Sequence, residues 1–549
     1  MSEDGGGLTR RQLLGLAGAA TAGAVAPAAA RAQTPKADGP PKRGGTIAIR
    51  GVDPLHFDPM LTSSFKTHTA LAFTHSRLVR HKAGPGVTPG TFPIEGDLAE
   101  SWMQPNETTY VFKLRRGVRW QPKPPVNGRE LTAEDVRYSL ERFLTVPGNV
   151  LASTLRFVER VEAPDRSTVR VTLKEPSAWF LDMLAAPMAV AIVPKECVER
   201  FGDLKKAEAC VGSGPWMLDG YKPNQSLSFV RNPNYFVPGL PYIDRVEAAV
   251  DEDAASRMSS FIAGKWDIGY DGGVVFRTEW AQIRDALRQR RPTLRTTDVL
   301  MNIMSHVSMR TDAPPFNDVR VRRAISLAVD RQAIMDATSE GTGALNPPVP
   351  AGLKDWSLPV GQLGDGARYY KRDLAEARRL LSAAGHGNGL PANVCFTTYG
   401  SAILVDQAQL ILAQLKEAGI DARLDQKEYG AYFSTCFVGK FDSMAFGPQS
   451  NFLEPDGYLA QYLPGEARNQ SRVEDAVATD LILRQRRTLD PTKRREIVHA
   501  LQRHLAAQQY YVSIHSGLSV AVWESALKNY GPNLGYDLGG RLTAAWLDR

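Results

Sequence analysis

Helical and strand-like hydrophobic periodicities alternate in two separate stretches of this chain, one on each side of a long middle. That arrangement calls for two α/β lobes rather than one barrel. In the first stretch, Gly45 to Arg50 alternates as a strand, and Ser64 to Arg80 places Leu71, Leu78 and Val79 at helical spacing. Ala83 to Pro93 is a Gly/Pro loop, and Thr108 to Leu114 reads as a strand through Tyr110, Phe112 and Leu114. Thr132-Ala133-Glu134-Asp135 opens a helix, with Thr132 as cap and both acids at the positive end of the dipole; Val136, Leu140 and Phe143 share its apolar face. Val169 to Leu173 is another strand, ended by Glu175-Pro176. The second stretch opens near Pro314 to Asp318 and continues as a helix from Val319 to Arg331 that turns Val321, Ile325 and Val329 inward. Ala375 to Ala384 and Asp406 to Ala418 are helices stopped by Gly385 and Gly419, and Ile420 to Leu424 follows as a strand. At 549 residues the chain exceeds what one core supports and suits two or three domains.

The N-terminus reads as an export signal outside the fold. Leu8-Thr9-Arg10-Arg11-Gln12-Leu13-Leu14 resembles a twin-arginine signal, Gly15 to Ala30 is a weakly apolar Ala/Gly run, and Ala30-Arg31-Ala32 suits cleavage before Gln33. A retained anchor is the alternative, since the run approaches spanning length, but alanine and glycine are poor bilayer residues beside leucine. No cysteine follows the run, which argues against lipid attachment. The expected mature protein is soluble and periplasmic. Its formal charge of +7 is spread along the chain with no zinc finger or aromatic RNA-binding motif, so a solvated basic surface is a simpler reading than nucleic-acid binding. Four cysteines in an exported protein invite pairing, and three pairings are open. Cys197 and Cys210, which bracket a short polar stretch, are the favoured pair, with Cys395 and Cys436 left over.

Gly212-Ser213-Gly214-Pro215-Trp216 is a tight turn in which the glycines permit φ > 0 and the proline fixes φ. With it come Leu98-Ala99-Glu100-Ser101-Trp102, Phe112 to Trp120 (FKLRRGVRW), Leu131 to Val136 (LTAEDV), Gly264-Lys265-Trp266-Asp267-Ile268 and Pro315 to Arg331. In this order and spacing these segments resemble the bacterial extracellular solute-binding proteins of family 5, the dipeptide- and oligopeptide-binding group of ABC importers. The resemblance runs from about Arg43 to the C-terminus. It implies an α/β, two-lobe periplasmic-binding-protein fold, type II in its large three-subdomain variant, with a two-strand hinge. The implied division is signal 1–32, linker 33–42, first lobe 43–80, an inserted subdomain 81–204, first lobe again 205–305, second lobe 306–510 and a first-lobe tail 511–549. The implied function is to trap a peptide or peptide-like solute between lobes, as a monomer, and deliver it to a membrane permease and its ATPase.

The resemblance also carries two regions of ligand contact. Ser63, Ser64 and Phe65 follow Phe57-Asp58-Pro59 in a loop of the first lobe; the serines are equally readable as a helix N-cap, and Phe65 as core. Phe446, Gly447, Pro448 and Asn451 form the second region, where peptide-binding relatives carry G-W-x-x-D-x-x-[DE]-P and pair the aspartate with the ligand's α-amino group. This chain keeps Gly447 and Glu454-Pro455 but has Pro448 and Asn451 for the tryptophan and aspartate. Asparagine offers a carbonyl and an NH₂ without charge, so a free peptide N-terminus loses its counter-ion here. An oligosaccharide, an opine-like conjugate or a blocked peptide fits better. Tyr399, after a strand, is a third candidate.

No cofactor or metal is expected. Some family relatives bind nickel, but His68 and His75 lie two turns apart on the expected helix, and His499 and His504 do not align on a face. An exported hydrolase is the competing class; the chain has no G-x-S-x-G, no H-E-x-x-H and no Walker A lysine. The acidic run Asp251-Glu252-Asp253 reads as an ordinary loop between strand and helix.

Overall fold

A computed structural model describes residues 39–549 except 150, 189, 399, 400, 448, 450 and 536. The expected signal and cleavage site lie outside the described residues.

One sheet anchors each lobe. In the first lobe, Thr46–Gly51 pairs in parallel with Arg245–Val250, which continues antiparallel through Ser226–Arg231 to Trp216–Lys222. The second lobe has five strands in the order Ile420–Gln426, Leu390–Phe396, Met444–Phe446, His306–Met309 and Tyr511–Ser513. Leu390–Phe396 runs parallel to both neighbours, and the helix Ala402–Glu417 supplies the crossover to Ile420–Gln426 that parallel pairing requires. Within the segment inserted into the first lobe, Ala99–Asn106, Thr109–Leu114, Thr168–Leu173 and Val158–Asp165 form an antiparallel sheet over its own core.

A further sheet joins Val274–Phe276, His515–Trp523 and Arg295–Leu300. Asp267 ties it to the first lobe, accepting from Ala48 N at 2.7 Å while its own N–H donates to Ala48 O at 2.8 Å. From this sheet the chain enters the five-stranded sheet through residues 301–305 and returns at Ile514, so two crossing segments join the lobes. The short strand Gly343–Leu345 packs onto the returning strand beside that crossing, opposite Gly517, Ser516 and His515.

The helices follow their apolar stripes and caps. In Ala133–Thr145, Val136, Leu140 and Phe143 are fully buried, and Thr132 N donates to Asp135 Oδ2 at 2.8 Å in a capping box. The helix expected through Arg331 ends instead at Ala328, because Asp330 caps a new one, Arg331–Ser339, by accepting from Ala333 N at 3.0 Å. Ala384 and Ala418 terminate their helices before Gly385 and Gly419, both at φ +90°.

The first helix is also shorter than its periodicity suggests. It spans Phe65–Thr74, and Val79–His81 is a strand. The Gly212–Trp216 turn explains the stop. Gly214 N and Gln121 Nε2 both donate to the Thr74 carbonyl, at 2.9 and 3.0 Å. A Cβ on Gly212 would sit 2.0 Å from that oxygen, and one on Gly214 would lie 2.6 Å from the Thr74 carbonyl carbon. These glycines permit close approach of two backbones; neither takes up positive φ.

The disulfide joins Cys395 to Cys436, with Cα atoms 6.2 Å apart, and not Cys197 to Cys210. Both of the latter are buried free thiols that pack in different cores. Cys197 belongs to the inserted sheet's core, whereas Cys210 sits in the first-lobe core with its Sγ 3.5 Å from Thr74 Oγ1. Sequence proximity suggested the pair, and the boundary between the two cores separates it.

Candidate functional site

The first crossing segment and one loop of the second lobe share a hydrogen-bond network. Asn302 Nδ2 donates to Phe452 O at 2.6 Å, Tyr458 OH donates to Asn302 O at 2.7 Å, and Phe452 N donates to Tyr458 OH at 2.9 Å. Tyr458 is 1 % exposed, so the network is closed to water. Arg468 clamps the same loop from outside: its guanidinium lies 4.2 Å from the Phe452 ring centroid and donates to Gly457 O. Gly457 leaves room for that ring, since a Cβ there would fall 2.3 Å from Phe452.

Asn451 stands at the start of this clamped loop. It is partly buried, and among the described residues its Oδ1 has no hydrogen-bond partner although it is shielded from solvent. An unsatisfied buried acceptor costs about 1–3 kcal/mol, a debt that a bound N–H donor would cancel. Gly447 is buried against Tyr432, whose hydroxyl would lie 2.5 Å from any Cβ at that position. Phe446 is placed in the core rather than at a ligand surface: it is 2 % exposed and stacks on Phe396 at 6.3 Å, because it ends a central strand of the sheet. Pro448 and Tyr399 lie outside the described residues.

On the first lobe, Ser63 is exposed, and Ser64 and Phe65 are half-buried at the start of the Phe65–Thr74 helix. Ser64 holds the N-cap position with extended backbone, but its side chain makes no capping bond; the Thr62 hydroxyl accepts from Ser64 N at 2.9 Å instead. Among the described residues no hydrogen bond joins Ser63 or Ser64 to Asn451, so the two expected contact regions remain on separate lobes. Close by, Lys66 and Arg50 both pair with Glu252, at 2.8 and 3.2 Å, and Asp253 caps the next helix through Ser256 N at 2.7 Å. The acidic run is therefore partly a cap and partly a link to the helix that carries Phe65.

Beneath the second-lobe loop, Glu454 pairs with Arg494, their side chains 5 % and 4 % exposed. Burial pushes the Glu454 carboxyl up to about 7 in spite of that partner. Asp456 is held by Arg486 at 2.7 and 2.9 Å and by Gln485 at 2.6 Å. The histidines serve local structure. His68 Nε2 is 3.0 Å from Thr62 O, His504 Nε2 is 2.6 Å from Asp475 Oδ2, and His499 Nε2 is 3.3 Å from Asp355 O. Among the described residues no group of three or more His, Cys, Asp or Glu is placed to hold a metal ion, and no helix is long and apolar enough to cross a membrane.

Asn302, Tyr458 and Arg468 carry no periodic signal. The one trace of Asn302 in the sequence is a lone polar residue within Val299-Leu300-Met301-Asn302-Ile303-Met304.

Two α/β lobes, two crossing segments and a polar loop bonded to one of them define the periplasmic-binding-protein fold. The model of the bacterial extracellular solute-binding proteins, family 5, matches residues 93–470, and the chain belongs to that family. Di/tripeptide-binding protein 3 of Pseudomonas aeruginosa strain UCBPP-PA14 is 28% identical over 493 residues, covering 83% of this chain and 86% of that protein. Among solved structures, the periplasmic binding protein DppA from Helicobacter pylori in complex with the peptide STSA superposes with a TM-score of 0.75 at 24% identity, covering 92% of this chain and 99% of that one. MoaA from A. tumefaciens R10 in complex with mannopinic acid superposes with a TM-score of 0.71 at 25% identity, covering 92% of this chain and 100% of that one.

Proposed function

We propose that this chain is the exported, monomeric solute-binding component of an ABC importer, and that it closes on a peptide-like solute whose amino end is blocked or absent. The solute leaves unchanged, passed to a membrane permease and its ATPase. One observation carries the choice of solute: Asn451 presents a shielded, uncharged acceptor without a partner among the described residues, on the loop that is bonded to the hinge. A neutral carbonyl suits an amide or hydroxyl donor, whereas a buried ammonium needs a formal counter-charge. Relatives named for di- and tripeptides support the peptide-like class, and the mannopinic acid complex supports its opine-like edge.

Hinge closure supplies the mechanism. A solute that touches both lobes stabilises the closed form; one that touches a single lobe shifts nothing, because only differential affinity moves the equilibrium. Ser63, Ser64 and Phe65 are the first-lobe contacts in this reading, and Asn451 the second-lobe contact. Export follows the twin-arginine signal with cleavage after Ala32, which N-terminal sequencing of the secreted protein checks.

A thermal-shift panel of unblocked dipeptides, N-acetylated dipeptides, mannopinic acid and oligosaccharides tests the assignment. Binding at 100 times Kd stabilises by about 2.7 kcal/mol. The N-acetylated or opine members should give that shift; a larger shift from unblocked dipeptides contradicts the reading.

A further inference from the structure

Tyr432 belongs to the short helix Tyr429–Ser434, beside the start of the loop that carries Asn451. Local structure fixes it there. Glu428 caps the helix by accepting from Gly430 N at 2.8 Å and Ala431 N at 3.2 Å. Cys436 is tied by the disulfide to Cys395 in the strand Leu390–Phe396. The Phe433 ring stands edge-on to the Tyr432 ring at 5.7 Å. Tyr432 is fully buried with Cys395, Cys436, Phe441 and Ala445, so its ring is core.

A phenylalanine would fill that apolar core equally well; the hydroxyl is the part that the fold does not use. Other buried tyrosines of this chain bond theirs. Tyr270 donates to Glu279 Oε2 at 2.9 Å, Tyr458 to Asn302 O at 2.7 Å and Tyr511 to Gln461 O at 3.1 Å. The Tyr432 hydroxyl has no hydrogen-bond partner among the described residues. It lies against Gly447, just past the strand Met444–Phe446, where a Cβ would come within 2.5 Å of it. Burial raises its pKa above the ordinary phenol range, so it keeps its proton. Further along the same loop, Asn451 Oδ1 is shielded and also without a partner among the described residues. An unused donor and an unused acceptor thus flank one stretch of backbone.

We propose that the Tyr432 hydroxyl is a solute contact: in the closed form it donates to an oxygen at the same end of the solute whose N–H or O–H meets Asn451. This inference rests on the blocked-end reading and deepens it. Satisfying both atoms selects the chemistry. A free ammonium has donors and no acceptor, so it leaves the Tyr432 proton unmet. An acylated amine supplies both, an N–H for Asn451 and a carbonyl oxygen for Tyr432. Neighbouring hydroxyls of a sugar-like arm do the same. The shared requirement is an uncharged group that carries donor and acceptor together. Gly447 serves this contact, because any side chain there would cover the hydroxyl.

Calorimetry on the full mature chain, native and Tyr432→Phe, tests the contact with N-acetylated dialanine, mannopinic acid and dialanine as probes. Removing the hydroxyl leaves the solute's oxygen unpaired in a closed cleft. Tyr432→Phe should weaken N-acetylated dialanine about tenfold if that oxygen is an acyl carbonyl, or mannopinic acid by the same factor if it is a hydroxyl. Dialanine should bind no more weakly than before. The empty variant should unfold at the native denaturant midpoint or above it, since it loses no bond. Unchanged affinity for the first two probes, or an equal loss for all three, overturns the contact. So does a lower midpoint, which would mean that the hydroxyl is satisfied inside the empty protein. Each of these leaves the blocked-end reading standing while N-acetylated dialanine or mannopinic acid outbinds dialanine on the native protein. If dialanine binds the native protein best, or no probe binds it, that reading falls and the contact falls with it.

Discussion

Asn302, in the first crossing segment, holds the carbonyl of Phe452 at 2.6 Å, so the hinge and the loop that presents Asn451 are one hydrogen-bonded unit. Rotation at residues 301–305 cannot leave that loop behind without breaking buried bonds. Asn302→Ala strips the Phe452 carbonyl of this donor, at a cost of about 1–3 kcal/mol. Chemical denaturation should show that loss, and calorimetry with the solute that scores highest in the thermal-shift panel should show weaker binding. Unchanged affinity would separate the hinge from the loop.

Asn451→Asp restores a charge where the chain has a neutral acceptor. Affinity for unblocked dipeptides should rise relative to N-acetylated ones, read by calorimetry on both. Peptide binding indifferent to the substitution would mean that position 451 does not meet the solute's amino end.

Gly212→Ala tests whether the Gly-Ser-Gly turn is a packing device. The new methyl would meet the Thr74 carbonyl at 2.0 Å, and the two backbones must part. A loss of about 1–3 kcal/mol is expected in denaturant titrations. Stability within about 0.5 kcal/mol of the native protein would contradict it.

These cases show what the sequence could and could not disclose. Val136, Leu140 and Phe143 were legible because a helix face is a local, periodic property, and all three are fully buried. The end of the first helix was not legible, since Thr74 meets a turn 138 residues later, from Thr74 to Gly212. The disulfide misled for the same reason: the nearer cysteines pack in different cores, whereas Cys395 and Cys436 are 41 residues apart and meet through the second lobe. Asn451 drew notice by departing from a pattern, and Asn302 could not, because one polar residue in an apolar run has no period.

Removing the disulfide gives a further check. A loop closed over 41 residues contributes about 4 kcal/mol through the unfolded chain. Cys395→Ser with Cys436→Ser should lose much of that in denaturant titrations. Thiol titration of the native protein should find two free groups, Cys197 and Cys210, reactive only after unfolding.

Acid should destabilise the protein through buried histidines. Burial holds His75, His81 and His515 at about 4 and His306 at about 3. In the unfolded chain each returns to about 6.5, so the unfolded state binds more protons below that pH. This contribution is full above about pH 6.5 and is lost as pH falls toward about 4. Asp97, Asp182, Asp271 and Glu454, raised in the folded protein, act with the opposite sign but are fewer than the seven histidines held low, which also include His56, His68 and His499. Denaturant midpoints across that range should decline, and His306→Leu should reduce the slope by about one proton. An unaltered slope would remove His306 from the account.

The central claim is that two lobes linked through the crossing segments at residues 301–305 and Ile514 close on their cargo. Spin labels at Arg166→Cys in the inserted segment and Arg423→Cys in the second lobe, side chains 76% and 78% exposed, report the separation directly. Pulsed dipolar measurements with and without a saturating solute from the panel should show a long, broad distribution collapsing to a short, narrow one. The same distribution in both conditions, with binding verified by calorimetry on the labelled protein, would contradict the account.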